Sequence, residues 1–110
     1  DLISGMGSEG GGTGSIQSRD DVVKLIRGLS PEEATKRINA VRAAAVKLPA
    51  ANGKSATIGF CWGGARSFHY ASVQPELNAA VVYYGSSPDS KDLPSIKGSV
   101  LGLYGGDDAA

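Results

Sequence analysis

The stretch that most constrains this chain is Thr57-Ile58-Gly59-Phe60-Cys61-Trp62-Gly63-Gly64. A short apolar run ends at Cys61, the only cysteine, with glycines at positions 59, 63 and 64. This is the G-x-C-x-G-G form of a nucleophile elbow, in which a strand turns sharply into a helix and holds its central side chain up at the turn. The turn strains the backbone of the central residue and brings the two arms close together, so a Cβ at position 59 or 63 is expected to collide with the opposite arm. The same geometry sets the Trp62 N–H at a helix N-terminus, where it could serve as half of an oxyanion hole and where the helix dipole favours negative charge. Cys61 reads as the nucleophile. The bland alternative is a buried structural cysteine packed beside glycines.

The rest of the chain suits a strand–helix–strand architecture. Ser55–Phe60 reads as the elbow strand, and residues 62–73 read as the helix after it, with Gly63, Gly64 and Ala65 letting it lie tight on a sheet. Pro75 closes that segment. Residues 79–84 are apolar enough for a central parallel strand, and residues 99–104 read as another. Gly85-Ser86-Ser87-Pro88-Asp89 then forms a loop on the same rim as the elbow. Gly105-Gly106-Asp107-Asp108 follows the last strand, and an acid just past a strand end, downstream of the nucleophile, is where such a fold keeps a triad acid. Two successive acids could equally be a solvated turn. His69, the only histidine, lies about two turns into the helix, too far along it to reach Cys61, and reads as a packing or surface residue.

Upstream, residues 1–19 read as a loop, with Asp1-Leu2-Ile3 a candidate strand tail. No G-x-x-x-x-G-K-[ST] or G-x-G-x-x-G joins a strand to a helix there, so the glycines do not mark a phosphate site. Ser18 and Asp21 begin a short helix that ends at Gly28. Ser30 as N-cap, Pro31 at N1 and Glu33 at N3 form a capping box for a second helix. Its Ala34, Ile38, Val41, Ala45 and Leu48 recur at helical spacing and predict one buried stripe, while Lys36, Arg37, Arg42 and Lys47 read as a solvated face. Pro49 stops the helix and Asn52-Gly53 turns the chain toward the elbow strand.

Composition narrows the function classes. With 110 residues the chain is one domain at most. Eleven basic side chains balance eleven acidic ones, so no nucleic-acid or anionic-membrane partner is indicated. A single cysteine excludes a disulfide framework and a cysteine-based metal site. No apolar run is long enough to span a membrane.

Taken together, these motifs resemble the dienelactone hydrolase family of α/β-hydrolases. The resemblance is carried by Asp1-Leu2-Ile3-Ser4-Gly5, Leu48-Pro49-Ala50-Ala51-Asn52-Gly53-Lys54 and Gly59-Phe60-Cys61-Trp62-Gly63-Gly64. Val82-Tyr83-Tyr84-Gly85 and Leu103-Tyr104-Gly105-Gly106-Asp107-Asp108 continue it. It implies a partial α/β-hydrolase fold, with central parallel strands and flanking helices, whose N- and C-terminal parts lie outside this sequence. By position, Cys61 matches the family nucleophile, Trp62 the oxyanion amide, Asp108 (before Asp107) the triad acid, and Tyr83 a tyrosine lining the active site. The triad histidine and the second oxyanion donor are expected outside the chain. Gly5 stands where dienelactone-cleaving members carry an arginine for the substrate carboxylate. The implied activity is hydrolysis of a small-molecule ester or lactone, with no cofactor or metal; compartment and oligomeric state stay open. Two other readings are an inactive truncated segment or scaffold, and a class I glutamine amidotransferase-like domain. An open sheet of about three strands keeps bare edges and apolar faces, so the isolated chain is expected to be marginal or aggregation-prone.

Overall fold

A computed structural model describes residues 1–108. The chain packs as two compact units, Asp1–Val41 and Arg42–Ala110. The element order is two short 3-10 turns, α1 (Arg19–Gly28), α2 (Pro31–Ala45), β1 (Ala56–Phe60), α3 (Trp62–Val73), β2 (Ala79–Tyr83), a 3-10 turn at Leu93–Ser95, and β3 (Ser99–Leu103). No helix among the described residues is long and apolar enough to cross a membrane.

In the first unit, Asp1-Leu2-Ile3 is a turn and not the tail of a strand. The cause is the Asp1 carboxylate, which accepts from the Ile3 N–H at 3.0 Å, the Thr13 N–H at 2.7 Å and the Thr13 hydroxyl at 3.0 Å. Such side-chain acceptors draw the backbone out of extended geometry. Ile3, Leu29 and Ala34 are the buried apolar residues of this unit. α1 begins where Ser18 accepts the Asp21 N–H at 3.4 Å. α2 begins where Ser30 accepts the Glu33 N–H at 3.1 Å. The Glu33 carboxylate binds Arg37 Nε at 2.9 Å, which gives that side chain an i,i+4 partner.

The apolar stripe predicted along α2 is buried only at Ala34; Val41 is 63% exposed and Leu48 61%. Helical periodicity records which face is apolar, not how much of that face is covered. The predicted solvated face is also corrected. Lys36 is free in solvent apart from a 3.8 Å approach to Glu33, but Arg37 and Arg42 are largely covered, their side chains 26% and 14% exposed.

The second unit is a three-stranded parallel sheet in the order β1-β2-β3, so the residue 79–83 strand is central as its apolar run predicts. α3 is the crossover between β1 and β2, the connection parallel neighbours require. One sheet face, with Thr57, Gly59, Ala80 and Val82, lies under α3. Ser67 on α3 hydrogen-bonds Thr57 Oγ1 at 2.8 Å and the Val81 carbonyl at 3.2 Å. Ala80 and Val82 are 1% and 0% exposed. The other face carries Ile58, Val81 and Leu101 in register, then Phe60, Tyr83 and Leu103; Ile58, Phe60, Leu101 and Leu103 are exposed there.

The amino ends of the strands are tied by polar contacts. Arg42 donates to Ser55 Oγ at 2.8 Å, to the Glu76 carboxylate at 2.9 Å and to the Glu76 carbonyl at 3.3 Å. Asn78 Oδ1 accepts the Ser55 N–H at 2.9 Å, and the Asn78 N–H donates to the Ser55 carbonyl at 3.0 Å. The candidate site lies at the opposite, carboxyl ends of the strands.

Candidate functional site

Cys61 is the junction between β1 and α3. Its backbone has φ 53° and ψ −119°, a region that L-residues avoid and that is held only where surrounding structure over-determines it. What holds it is visible on both sides. The Cys61 N–H donates to the Tyr83 carbonyl at 3.0 Å, which extends the ladder one step past β1. Its carbonyl accepts the Ala65 N–H at 3.1 Å, the first intrahelical bond of α3. The side chain stands exposed, so the alternative of a buried packing cysteine does not describe it.

The close approach of the two arms is real, but only one of the two predicted glycines is required for it. A Cβ on Gly59 would strike the Gly63 carbonyl and come 2.7 Å from the Gly64 nitrogen. A Cβ on Gly63 would meet nothing within 4 Å, because that position points away from the strand. The second crowded position is Gly64, where a Cβ would come 2.6 Å from the Tyr83 carbonyl oxygen.

Because α3 makes its first intrahelical bond at Ala65, the N–H groups of Trp62, Gly63 and Gly64 precede the i→i−4 ladder. The Cys61 side chain makes no capping hydrogen bond to them. These are the donors a helix N-terminus offers to negative charge. The Trp62 ring is half-buried, and the Arg66 guanidinium carbon lies 5.5 Å from its centre.

The other candidates divide. Tyr83 is half-buried and stacks on Phe60, with ring centres 4.7 Å apart and planes at 22°. Tyr84 follows at φ 41°, a second left-handed residue one strand over from Cys61, and is 46% exposed. The Tyr84 N–H donates to the Leu103 carbonyl at 2.8 Å, and the Tyr104 hydroxyl donates to the Gly85 carbonyl at 2.7 Å. Asp107 and Asp108 lie exposed on the turn after β3, where the Asp108 N–H donates to the Gly105 carbonyl at 3.2 Å. Cys61, Tyr84 and Asp108 thus follow the carboxyl ends of three adjacent parallel strands. His69 is not brought to them. It is half-buried on α3, eight residues beyond Cys61, or about 12 Å along the helix axis, and its carbonyl accepts the Ser72 hydroxyl at 2.7 Å. The strain at Tyr84 and the Arg66 contact carry no motif; only the i,i+4 spacing of Trp62 and Arg66 hints at the second.

Known proteins resemble the chain in sequence and in fold. The sequence model of the dienelactone hydrolase family matches residues 8–110. A protein of Escherichia coli, provisionally named a carboxymethylenebutenolidase, is 43% identical over 60 residues, 46% of this chain and 22% of that one. A carboxymethylenebutenolidase homolog of Rattus norvegicus is 38% identical over 56 residues, 51% of this chain and 23% of that one. Among solved structures, a dienelactone hydrolase-like promiscuous phosphotriesterase from metagenomic libraries superposes with TM-score 0.72 at 28% identity, over 89% of this chain and 43% of that one. The matched part of the chain spans under half the length of each of these proteins. None of these likenesses supports a glutamine amidotransferase. With an elbow, a parallel sheet and a family match over nearly its whole length, the chain belongs to the dienelactone hydrolase family and carries part of its α/β-hydrolase fold.

Proposed function

We propose that the protein to which this chain belongs hydrolyses a small-molecule carboxylic ester or lactone by two-step acyl transfer through Cys61. The observation that carries the reading is the exposed Cys61 side chain, held at left-handed φ directly before the N–H groups that open α3 ahead of its first i→i−4 bond. The family match over residues 8–110 supports treating the chain as one partial domain of that protein.

In this scheme a histidine from outside the present sequence takes the Cys61 proton. The thiolate attacks the carbonyl carbon, and the tetrahedral oxyanion forms against the Trp62 N–H and a second donor from outside the chain. The C–O bond breaks, and the departing alkoxide takes the proton from the imidazolium. Water then attacks the thioester with the same histidine as base, and the sulfur leaves and is reprotonated. Asp108 accepts the other imidazole N–H and fixes the ring's tautomer. Cys61 and Asp108 follow β1 and β3 with one strand between them, a span of about 10 Å that leaves room for an imidazole. Tyr83, stacked on Phe60, is assigned to the wall of the substrate site. No step needs a metal or cofactor.

The test is turnover of a p-nitrophenyl ester by the full-length protein. Cys61→Ala abolishes it, Asp108→Asn lowers kcat by about 10²–10⁴-fold, and Asp107→Asn leaves it near wild type. Wild-type turnover by Cys61→Ala sinks the proposal. The competing reading, an inactive remnant or scaffold, draws on the position of His69, and it predicts no turnover in the full-length protein at all.

A further inference from the structure

Arg66 is a half-buried cation on α3 that the scheme above does not use. Its Nε is buried with no hydrogen-bond partner among the described residues. Its guanidinium instead lies over the Trp62 ring, four residues back along the helix. A buried donor without an acceptor is costly, and an indole face offsets part of that cost through its quadrupole.

What the contact spans gives it a purpose. Trp62 opens the helix and is followed by Gly63-Gly64. Gly64 is dictated by the Tyr83 carbonyl, but Gly63 is not dictated by packing. Two successive glycines leave this turn without side chains of its own to brace it beyond its backbone contacts, and it is the turn that aims the Trp62 N–H. We infer that Arg66 is a positioning residue: stacked on the Trp62 ring across Gly63-Gly64, it braces the first turn of α3 and fixes the direction of the Trp62 N–H at the elbow. The inference rests on the proposed oxyanion role of Trp62.

That role predicts a specific kinetic signature. An oxyanion donor acts on charge that exists only in the acyl-transfer transition state, so loosening it lowers kcat and spares KM. Alkylation of Cys61 by iodoacetamide proceeds at a tetrahedral carbon and develops no oxyanion, so it does not sense the donor.

The experiment uses the full-length protein with a p-nitrophenyl ester and, separately, iodoacetamide. Arg66→Met lowers kcat about tenfold, less than the about 10²–10³-fold of losing a donor outright. KM and the alkylation rate stay within about twofold of wild type. Arg66→Lys, which keeps a cation near the ring, recovers most of the loss. Gly63→Ala added to Arg66→Met recovers part of it by stiffening the same turn. Unchanged kcat in Arg66→Met overturns the inference, as does a parallel fall in kcat and alkylation rate, which would mean a damaged elbow. Should Arg66→Met not fold, Arg66→Gln, planar and uncharged, carries the same test. If Cys61→Ala is inactive while Arg66→Met behaves as wild type, only this inference fails; if Cys61→Ala turns over normally, the functional proposal fails with it.

Discussion

Gly59 and Gly63 meet backbone to backbone, yet only Gly59 must be a glycine. The Gly63 carbonyl occupies the place a Gly59 side chain would take, and the Gly63 side-chain direction is open. Gly59→Ala therefore forces the arms of the elbow apart and destabilises the full-length protein by about 3 kcal/mol. Gly63→Ala fills open space in a helix and stabilises by up to about 1 kcal/mol. Chemical denaturation of both variants checks the pair; equal effects would mean the arms are not packed as described.

Cys61 trades stability for its position. A side chain at φ 53° is strained by about 1–3 kcal/mol, and glycine removes that strain. Cys61→Gly is expected to raise the melting temperature while ending turnover. A lower melting temperature would show that the left-handed conformation is not the one the protein holds.

Arg42 and Glu76 are unequal partners in one ion pair. The Arg42 side chain is 14% exposed and that of Glu76 is 72% exposed. Arg42 also bonds Ser55 and the Glu76 carbonyl, so Arg42→Met loses several hydrogen bonds and costs about 1–3 kcal/mol. Glu76→Gln removes only a solvent-screened charge and costs under about 0.5 kcal/mol. Urea unfolding of the two variants tests the asymmetry.

Tyr70 sets an alkaline limit. It is 1% exposed, and burial holds its phenol above the usual value near 10, opposed by a Gln74 hydrogen bond and the Arg42 charge. The unfolded chain releases this proton first as pH rises, so the contribution is whole below about pH 10 and is lost above it as the folded form begins to ionise. Tyr70→Phe should flatten the fall in stability above pH 10. An unchanged alkaline limb would assign that fall to other groups.

The elbow was readable because its requirements are local. One cysteine between Gly59 and Gly64, after a short apolar run and before small residues, leaves few other conformations, and the apolar run Ala79–Tyr83 marks the central strand. Local pattern misleads where distant residues decide. Arg42 looked solvated because its partners, Ser55 and Glu76, lie 13 and 34 residues away. The α2 stripe at Val41 and Leu48 is apolar by sequence, but burial depends on a neighbour that periodicity cannot supply. Asp1 turned a candidate strand into a loop through Thr13, a contact no local pattern signals. The capping residues Ser18 and Ser30, whose bonds reach only three residues, were legible in full.

The central claim is that Cys61 forms a covalent acyl-enzyme, and trapping that species tests it most directly. The full-length protein is mixed with p-nitrophenyl acetate, quenched in acid within the burst, digested and weighed by mass spectrometry. The account predicts an acetyl group on the peptide carrying Cys61, present during turnover and gone once ester is exhausted. Steady release of p-nitrophenol with Cys61 unmodified at every time point would contradict it.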